Sequence, residues 1–496
     1  MDVRVRQNEE VRMDEMANWA SEAVGDSDLG DQRRRTRLLR TLTTLGQHPG
    51  QPVPRASADW AEAHAMYRLW QNDQVQVAEL VASIGRATGA RAAAEATVLL
   101  VQDTTDIAPT APRRCADLGP LGDGRGRGLK LHTTLVVTPG GIPLGLGHQQ
   151  LWTRDEDVGT RHQRYQTPVE GKESAKWLHG LQQTAHHLPP APRYITVADR
   201  EADIYELHAL HQQLGGDFVV RSAQDRGLVE PAGTLAEAAT AAPVRGHVEV
   251  AVPRADGKPE RQATVTVRSR PVTLTPPQYA SHAKARRDWW ADHPEVLALL
   301  ETPLEPLRLT CVEVTEDAPP DGVTPLHWRL LTTLPAASLE EAERVIDLYR
   351  QRWVVERFHY VLKSGCRIEE VQLEQADRLE RAVVTYSLVA WRLLWLTLHA
   401  RGTPDVSCET VVPRHHWQAA YATVHRTRQL PQTPPTLAEF VGVVGRLGGH
   451  LGRTRDGPPG VKTLWRGLTE LARLVEMWEV LHGQNPNDEP ERTGSV

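Results

Sequence analysis

Apolar positions change their period several times along the chain, and each change marks an element. LGDQRRRTRLLRTLTTLG is periodic as a helix, with Leu38, Leu39 and Leu42 on one side and Asp31 set to cap its start. Gly46 to Arg55 is broken by glycines and prolines. Helical spacing resumes over 59–84, where Trp60, Ala65, Tyr67, Leu69 and Trp70 supply a small core. Val98 to Val101 is then a continuous apolar run, the pattern of a strand covered on both faces, with Asp103 at its end. LKLHTTLVVTP and GIPLGLGHQQLW read as paired strands joined at Gly140-Gly141, and GKESAKWLHGLQQTA as a helix. A second short strand (Ile195, Val197, Ala198) closes on Asp199, and READIYELHAL continues as helix. GDFVVRSAQD adds a strand with Arg221 at its exit.

Alternation takes over between about 230 and 335, where HVEVAV, ATVTVRS, LRLTCVEV and HWRLLTTL form a β-rich insertion. SHAKARRDWW interrupts it, as a DNA contact or a plain loop. Tyr349 to Lys363 then reads as one amphipathic helix, with Ile346, Leu348, Val355, Phe358 and Leu362 at three- and four-residue spacing and Gly365 as its stop. Leu379, Val383, Tyr386, Ala390, Leu393 and Leu394 mark a long core helix. The remainder is helical in texture, and the last dozen residues are expected to be disordered.

Composition narrows this picture only a little. The chain has 496 residues and a formal charge of -6, which neither indicates nor excludes nucleic acid, because binding follows the local field. Arg33, Arg34, Arg35, Arg37 and Arg40 gather on one helix, either as a DNA-contacting face or as a solvated one. Four scattered cysteines form no CxxC pair, and no apolar run approaches the ~20 residues that span a bilayer. A reducing, cytosolic setting is expected.

Candidate chemistry centres on carboxylates. Steps of three, four and seven residues put Tyr349, Arg352, Glu356 and Lys363 within about half of a helix surface. Asp103 and Asp199 each stand where an apolar strand run ends. Three gathered carboxylates are hard oxygen ligands suited to Mg²⁺, and a two-metal clamp activates water or a 3′-hydroxyl against a phosphodiester. Arg352 and Lys363 would neutralise phosphoryl charge, and Tyr349 would orient a phosphate. Spacing alone leaves other uses of these acids open, including hydrolysis by a carboxylate pair.

The chain resembles the IS4 group of transposases, in the branch of the Tn5 transposase. The resemblance is carried by the signature Tyr349, Arg352, Glu356 and Lys363, and by VQDTTDI, VADREADIYEL, FVVRS, PLHWRLLTTLP and WASEAVGDSDLGDQRRRTRLLR. It implies an α/β, RNase H-like (retroviral integrase-like) core with a β-rich insertion, flanked by helical domains. The expected division is 1–90 for DNA binding, 91–395 for the catalytic core including the 230–335 insertion, 396–485 for dimerisation or synapsis, and 486–496 as a tail. It implies that Asp103, Asp199 and Glu356 are the catalytic and metal-binding triad, with Mg²⁺ as the ion and Mn²⁺ as a substitute. It sets Arg221 beside the active site, Trp328 as the holder of a flipped base during hairpin formation, and Arg33, Arg34 and Arg37 on transposon ends. The partners implied are double-stranded DNA with terminal inverted repeats, target DNA and a second copy in a synaptic homodimer, with no membrane and a bacterial cytoplasmic location. A transposase-derived DNA-binding protein without transposition activity is the alternative.

Overall fold

The computed structural model describes residues 19–122, 126–155, 169–190, 192–252, 261–277, 304–453 and 456–482. The residues before Trp19, the SHAKARRDWW segment and the C-terminal tail therefore lie outside the described residues. The chain separates into two compact units. One comprises 1–83, 109–116 and 358–496, and the other 84–108 and 117–357. The first unit thus takes segments from both ends of the chain, and residues 358–395, expected in the core, join it.

Among the described residues, the second unit is built on a 12-stranded mixed sheet. Its strands are β1 (Thr97–Ile107), β2 (Gly119–Pro120), β3 (Arg127–Val137), β4 (Pro143–Trp152), β5 (Arg193–Ala198), β6 (Asp217–Arg221), β7 (Gly227–Glu230), β8 (Gly233–Thr234), β9 (Val244–Val252), β10 (Arg261–Leu274), β11 (Leu307–Glu316) and β12 (His327–Thr332). The order is β2-β3-β1-β5-β6-β12-β11-β10-β7-β8, with β4 on β3 and β9 on β10. β1, β3 and β4 form an antiparallel meander. Its turn closes as expected, with Gly141 N–H donating to Thr138 O at 2.9 Å and Gly141 at φ +90°. β5 and β6 continue parallel to β1. The β-rich stretch is no separate layer, because β12 pairs with β6 and extends the same sheet.

Both faces of β1 are covered, which explains its unbroken apolar run. Val98 and Leu100 join Ala198, Phe218 and Val220 in a core with Trp177 and Leu181 of helix Ala175–His187 and Leu207 and Leu210 of helix Tyr205–Leu214. The buried Val, Leu and Phe side chains each contribute about 1.5–3 kcal/mol. The opposite face carries Leu99, Val101, Ile195 and Val197, also buried. Helix Leu339–Arg350 lies over this face, since Thr97 and Ile195 share a cavity of about 390 Å³ with Glu340, Arg344 and Leu348. Ser338 and Glu341 start that helix with a capping box.

The Tyr349–Lys363 stretch is not one helix. Helix Leu339–Arg350 ends in consecutive tight i→i+3 bonds, from Gln351 N–H to Leu348 O and from Arg352 N–H to Tyr349 O. Helix Trp353–Tyr360 follows, and a π-turn over Val361–Gly365 closes with Cys366 N–H on Val361 O at 2.8 Å. The tight turn and the wide turn each shift the helical phase, so an ideal 100° step does not carry across the stretch. Gly365 serves close approach, not the left-handed stop: a Cβ there would meet Trp465 at 2.9 Å, and Arg367 takes the positive φ of 56°.

The first unit is helical. Helix Ala376–Gly402 is long and apolar enough to cross a membrane, but 78% of its apolar window is buried. Trp70 Nε1 donates to Thr385 Oγ1 at 3.2 Å, and buried Arg381 donates to the carbonyls of Val75 (2.8 Å) and Trp70 (3.1 Å), closing the C-terminal end of helix Trp60–Trp70. Trp60, expected in the core, is 76% exposed. It stands in the first turn, while Ala63, Met66, Leu69 and Trp70 form the buried face. A second core joins helices Arg414–His425, Leu437–Leu447 and Val461–His482 through Trp417, Phe440, Val444, Leu464 and Leu471. The four cysteines are buried and form no disulfide among the described residues.

Candidate active site

Strand register aligns the two aspartates. β1 and β5 are parallel, with Leu99 opposite Ile195 and Val101 opposite Val197. Asp103 and Asp199 each follow two residues later, on the same face by the two-residue period. β5 and β6 extend the row. Ala198 lies opposite Val220, so Arg221 is next in line beside Asp199. Strand neighbours are ~4.8 Å apart. Asp103 is inside its strand and not at its end, because β3 continues the pairing past Asp103↔Thr133 to Ile107↔Leu129. What ends near Asp103 is the parallel ladder, which leaves the aspartate half-buried at the open notch.

Glu356 reaches this notch from helix Trp353–Tyr360. It is ion-paired with Arg352, and both aspartates act on its charge. Burial first, then Asp103 and Asp199, push its carboxyl above the usual carboxylate range, against the pull of Arg352. Asp199 is raised the same way, by burial and then by Asp103 and Glu201, although Glu201 N–H donates to it at 2.9 Å. Like charges are thus crowded at low solvent exposure, the condition that a bound cation relieves. The donor set is all carboxylate oxygen, which suits a hard divalent ion. Among the described residues, however, no three acidic, histidine or cysteine groups stand ready as a metal site.

Basic and aromatic groups line the same notch. Tyr349 is within hydrogen-bonding reach of Arg221 and Arg352, and burial raises its hydroxyl pKa. Arg221 also donates to His327 O at 2.6 Å. Trp328 is only 8% exposed and meets Tyr349 edge-on, ring centroids 5.1 Å apart. Lys363 falls in the first unit, on the π-turn, and pairs with Glu369 at 3.3 Å. Asp31 caps the arginine helix as expected, accepting from Arg33 N–H at 2.7 Å. Arg33 and Arg40 are exposed and Arg37 is half-buried. Arg34 instead donates to Leu29 O at 2.7 Å and Arg35 to Gly25 O at 3.0 Å, so part of the basic run holds its own loop.

Sequence reasoning missed a buried acid, Asp203, and its partner Arg226, bonded at 2.8 Å. The available signal was the third acid of the DREAD run, four residues past Asp199 and next to an apolar helix start. Nearby, Lys176 is bonded to Glu201 at 3.3 Å, and Glu173 is held by Arg154.

The register and the Glu356 approach define a class, a mixed α/β core whose sheet brings two aspartates near a helical glutamate. Family comparisons match it. Residues 16–75 match the transposase DNA-binding family, 171–392 the transposase DDE domain and 388–482 the transposase Tn5 dimerisation domain. The chain belongs to the Tn5-like, IS4-group transposases, enzymes that bind DNA and dimerise. DDE domains of this kind generally use divalent metal ions. Asp103 precedes the DDE match and joins it through the β1–β5 register.

Proposed function

We propose that the chain is an active cut-and-paste transposase in which Asp103, Asp199 and Glu356 hold Mg²⁺, with Mn²⁺ as a substitute, in an RNase H-like core. The observation that carries this is the alignment of Asp103, Asp199 and Arg221 on adjacent parallel strands. The antiparallel meander running into parallel β5 and β6 supports the core assignment. When bound, the ions would activate the attacking oxygen and stabilise the leaving one.

The chain's own residues then bind and orient. Arg352 gives up Glu356 and turns to phosphate, a switch favoured because a guanidinium donates to phosphate in the same forked geometry. Arg221 grips the same region from β6, and Tyr349, buried between the two arginines, fixes their spacing. Lys363 contacts the flanking strand. Trp328 stacks a flipped base, which requires its ring to leave the contact with Tyr349. Arg33 and Arg37 read the terminal inverted repeats and Arg34 supports their helix. The steps are hydrolytic nicking, attack of the new 3′-hydroxyl on the opposite strand to form a hairpin, hairpin opening by water, and joining to target DNA. A homodimer in a bacterial cytoplasm would synapse two ends.

The Arg352–Glu356 pair also favours a second reading, a DNA-binding derivative that no longer cuts. Denaturing gels separate the two. Duplexes carrying the sequences beside the coding region should give nicked and hairpinned products with Mg²⁺, and intact duplex under chelation. Binding without any cut product in Mg²⁺ or Mn²⁺ would leave the non-cutting derivative.

A further inference from the structure

Asp203 has a fully buried side chain, and the reaction outlined above gives it no part. Its Oδ2 accepts from Ala223 N–H at 2.8 Å, Gln224 N–H at 3.0 Å and the Ser222 hydroxyl at 3.2 Å. Its Oδ1 takes Arg226 through Nε at 3.1 Å and Nη2 at 2.8 Å, with the His208 ring at 3.3 Å. Arg226 Nη2 also donates to the Asp203 carbonyl at 2.6 Å. Burial opposes the charge, yet the His208 hydrogen bond, Arg226 and the Ala223 N–H hold the carboxyl well below its usual range.

The two chain segments tied here are the exits of β5 and β6. Asp199 closes β5, and only the turn Arg200–Ala202 separates it from Asp203. Arg221 ends β6 and directly precedes Ser222. One carboxylate therefore binds the segment that carries a catalytic acid to the segment that carries a phosphate-gripping arginine. A buried ion pair contributes little net stability over an apolar substitute, and its best-attested use is to fix one arrangement.

We propose that Asp203, with Arg226, is a positioning residue for phosphoryl transfer: it sets Arg221 against Asp199 so that guanidinium and carboxylate meet the same phosphate. This rests on the transposase reading. A small misplacement of such groups costs on the order of 100-fold in rate.

The test is a double-mutant cycle on DNA-end cleavage, using full-length protein and a duplex from the DNA beside the coding region. In Asp203→Asn the amide oxygen still accepts from the 223–224 backbone but no longer neutralises Arg226. The turnover rate at saturating duplex should fall on the order of 100-fold, with the half-saturating duplex concentration little changed. In an Arg221→Ala background the same change should cost almost nothing further, because the group it positions is gone. Arg226→Gln should behave like Asp203→Asn. Should Asp203→Asn not fold, Arg226→Lys, which keeps the charge and loses the fork, carries the same cycle at smaller amplitude. Losses from Asp203 and Arg221 that multiply independently would overturn the proposal, as would a loss confined to DNA affinity or melting temperature. Wild-type protein that cuts beside an Asp203→Asn variant of equal rate would overturn the positioning role alone. Wild-type protein that never cuts would overturn the transposase reading beneath it.

Discussion

Asp199 and Glu356 are each asked to carry charge where burial and neighbouring acids resist it. Their pKa values are raised on folding, so the folded chain binds their protons more tightly than the unfolded chain. The stability this supplies is present at low pH and is lost as pH rises through the folded values. At neutral pH the ionised pair therefore works against folding. Replacing Asp199 with Asn keeps the acceptor for Glu201 N–H and removes one charge. The variant should melt no lower than the wild type at pH 7, with the difference shrinking as pH falls into the carboxylate range, while end cleavage drops by about 10³-fold. A lower melting temperature at pH 7, followed by calorimetry, would count against charge crowding. Asp103 and Asp199 were both legible as acids closing apolar runs. Their adjacency was not, because no spacing in the chain reports that β1 and β5 pair in the register of Val101 with Val197.

Elements refine what single residues suggest. The signature stretch kept its periodic apolar positions, with Val355, Phe358 and Leu362 all buried, but the tight turn after Arg350 and the π-turn at Val361 are backbone events that side-chain periodicity does not encode. The family resemblance implied a base-holding role for Trp328, and its ring lies buried against Tyr349. Trp328→Ala should accordingly destabilise the protein by about 3 kcal/mol. Below the variant's melting temperature, nicking should survive better than hairpin formation, as denaturing gels would reveal. Equal loss of both products would remove the base-holding role. Gly365 offers a purely structural check. A Cβ there would sit 2.9 Å from the Trp465 ring, so Gly365→Ala should cost about 1–3 kcal/mol in chemical denaturation. An unchanged midpoint would mean that the indole yields freely.

At the scale of the whole molecule, the chain forms two compact units, and neither follows a simple cut of the chain. The DNA-binding match and the dimerisation match both fall within the helical unit, although hundreds of residues part them in sequence. Helix Val461–His482 ends with Met477, Val480 and Leu481 exposed, an apolar edge in keeping with the dimerisation family. Val480→Asp should weaken the two-end complex in native gels and leave single-end binding intact; an unaltered two-end complex would exclude that edge from the interface. The central claim, that Asp103, Asp199 and Glu356 act as one metal site, is tested most directly by comparing wild type with Glu356→Ala on duplexes from the flanking DNA in Mg²⁺. The account predicts that both proteins bind the duplex and that only the wild type cuts it. Cleavage by Glu356→Ala at the wild-type rate would contradict it.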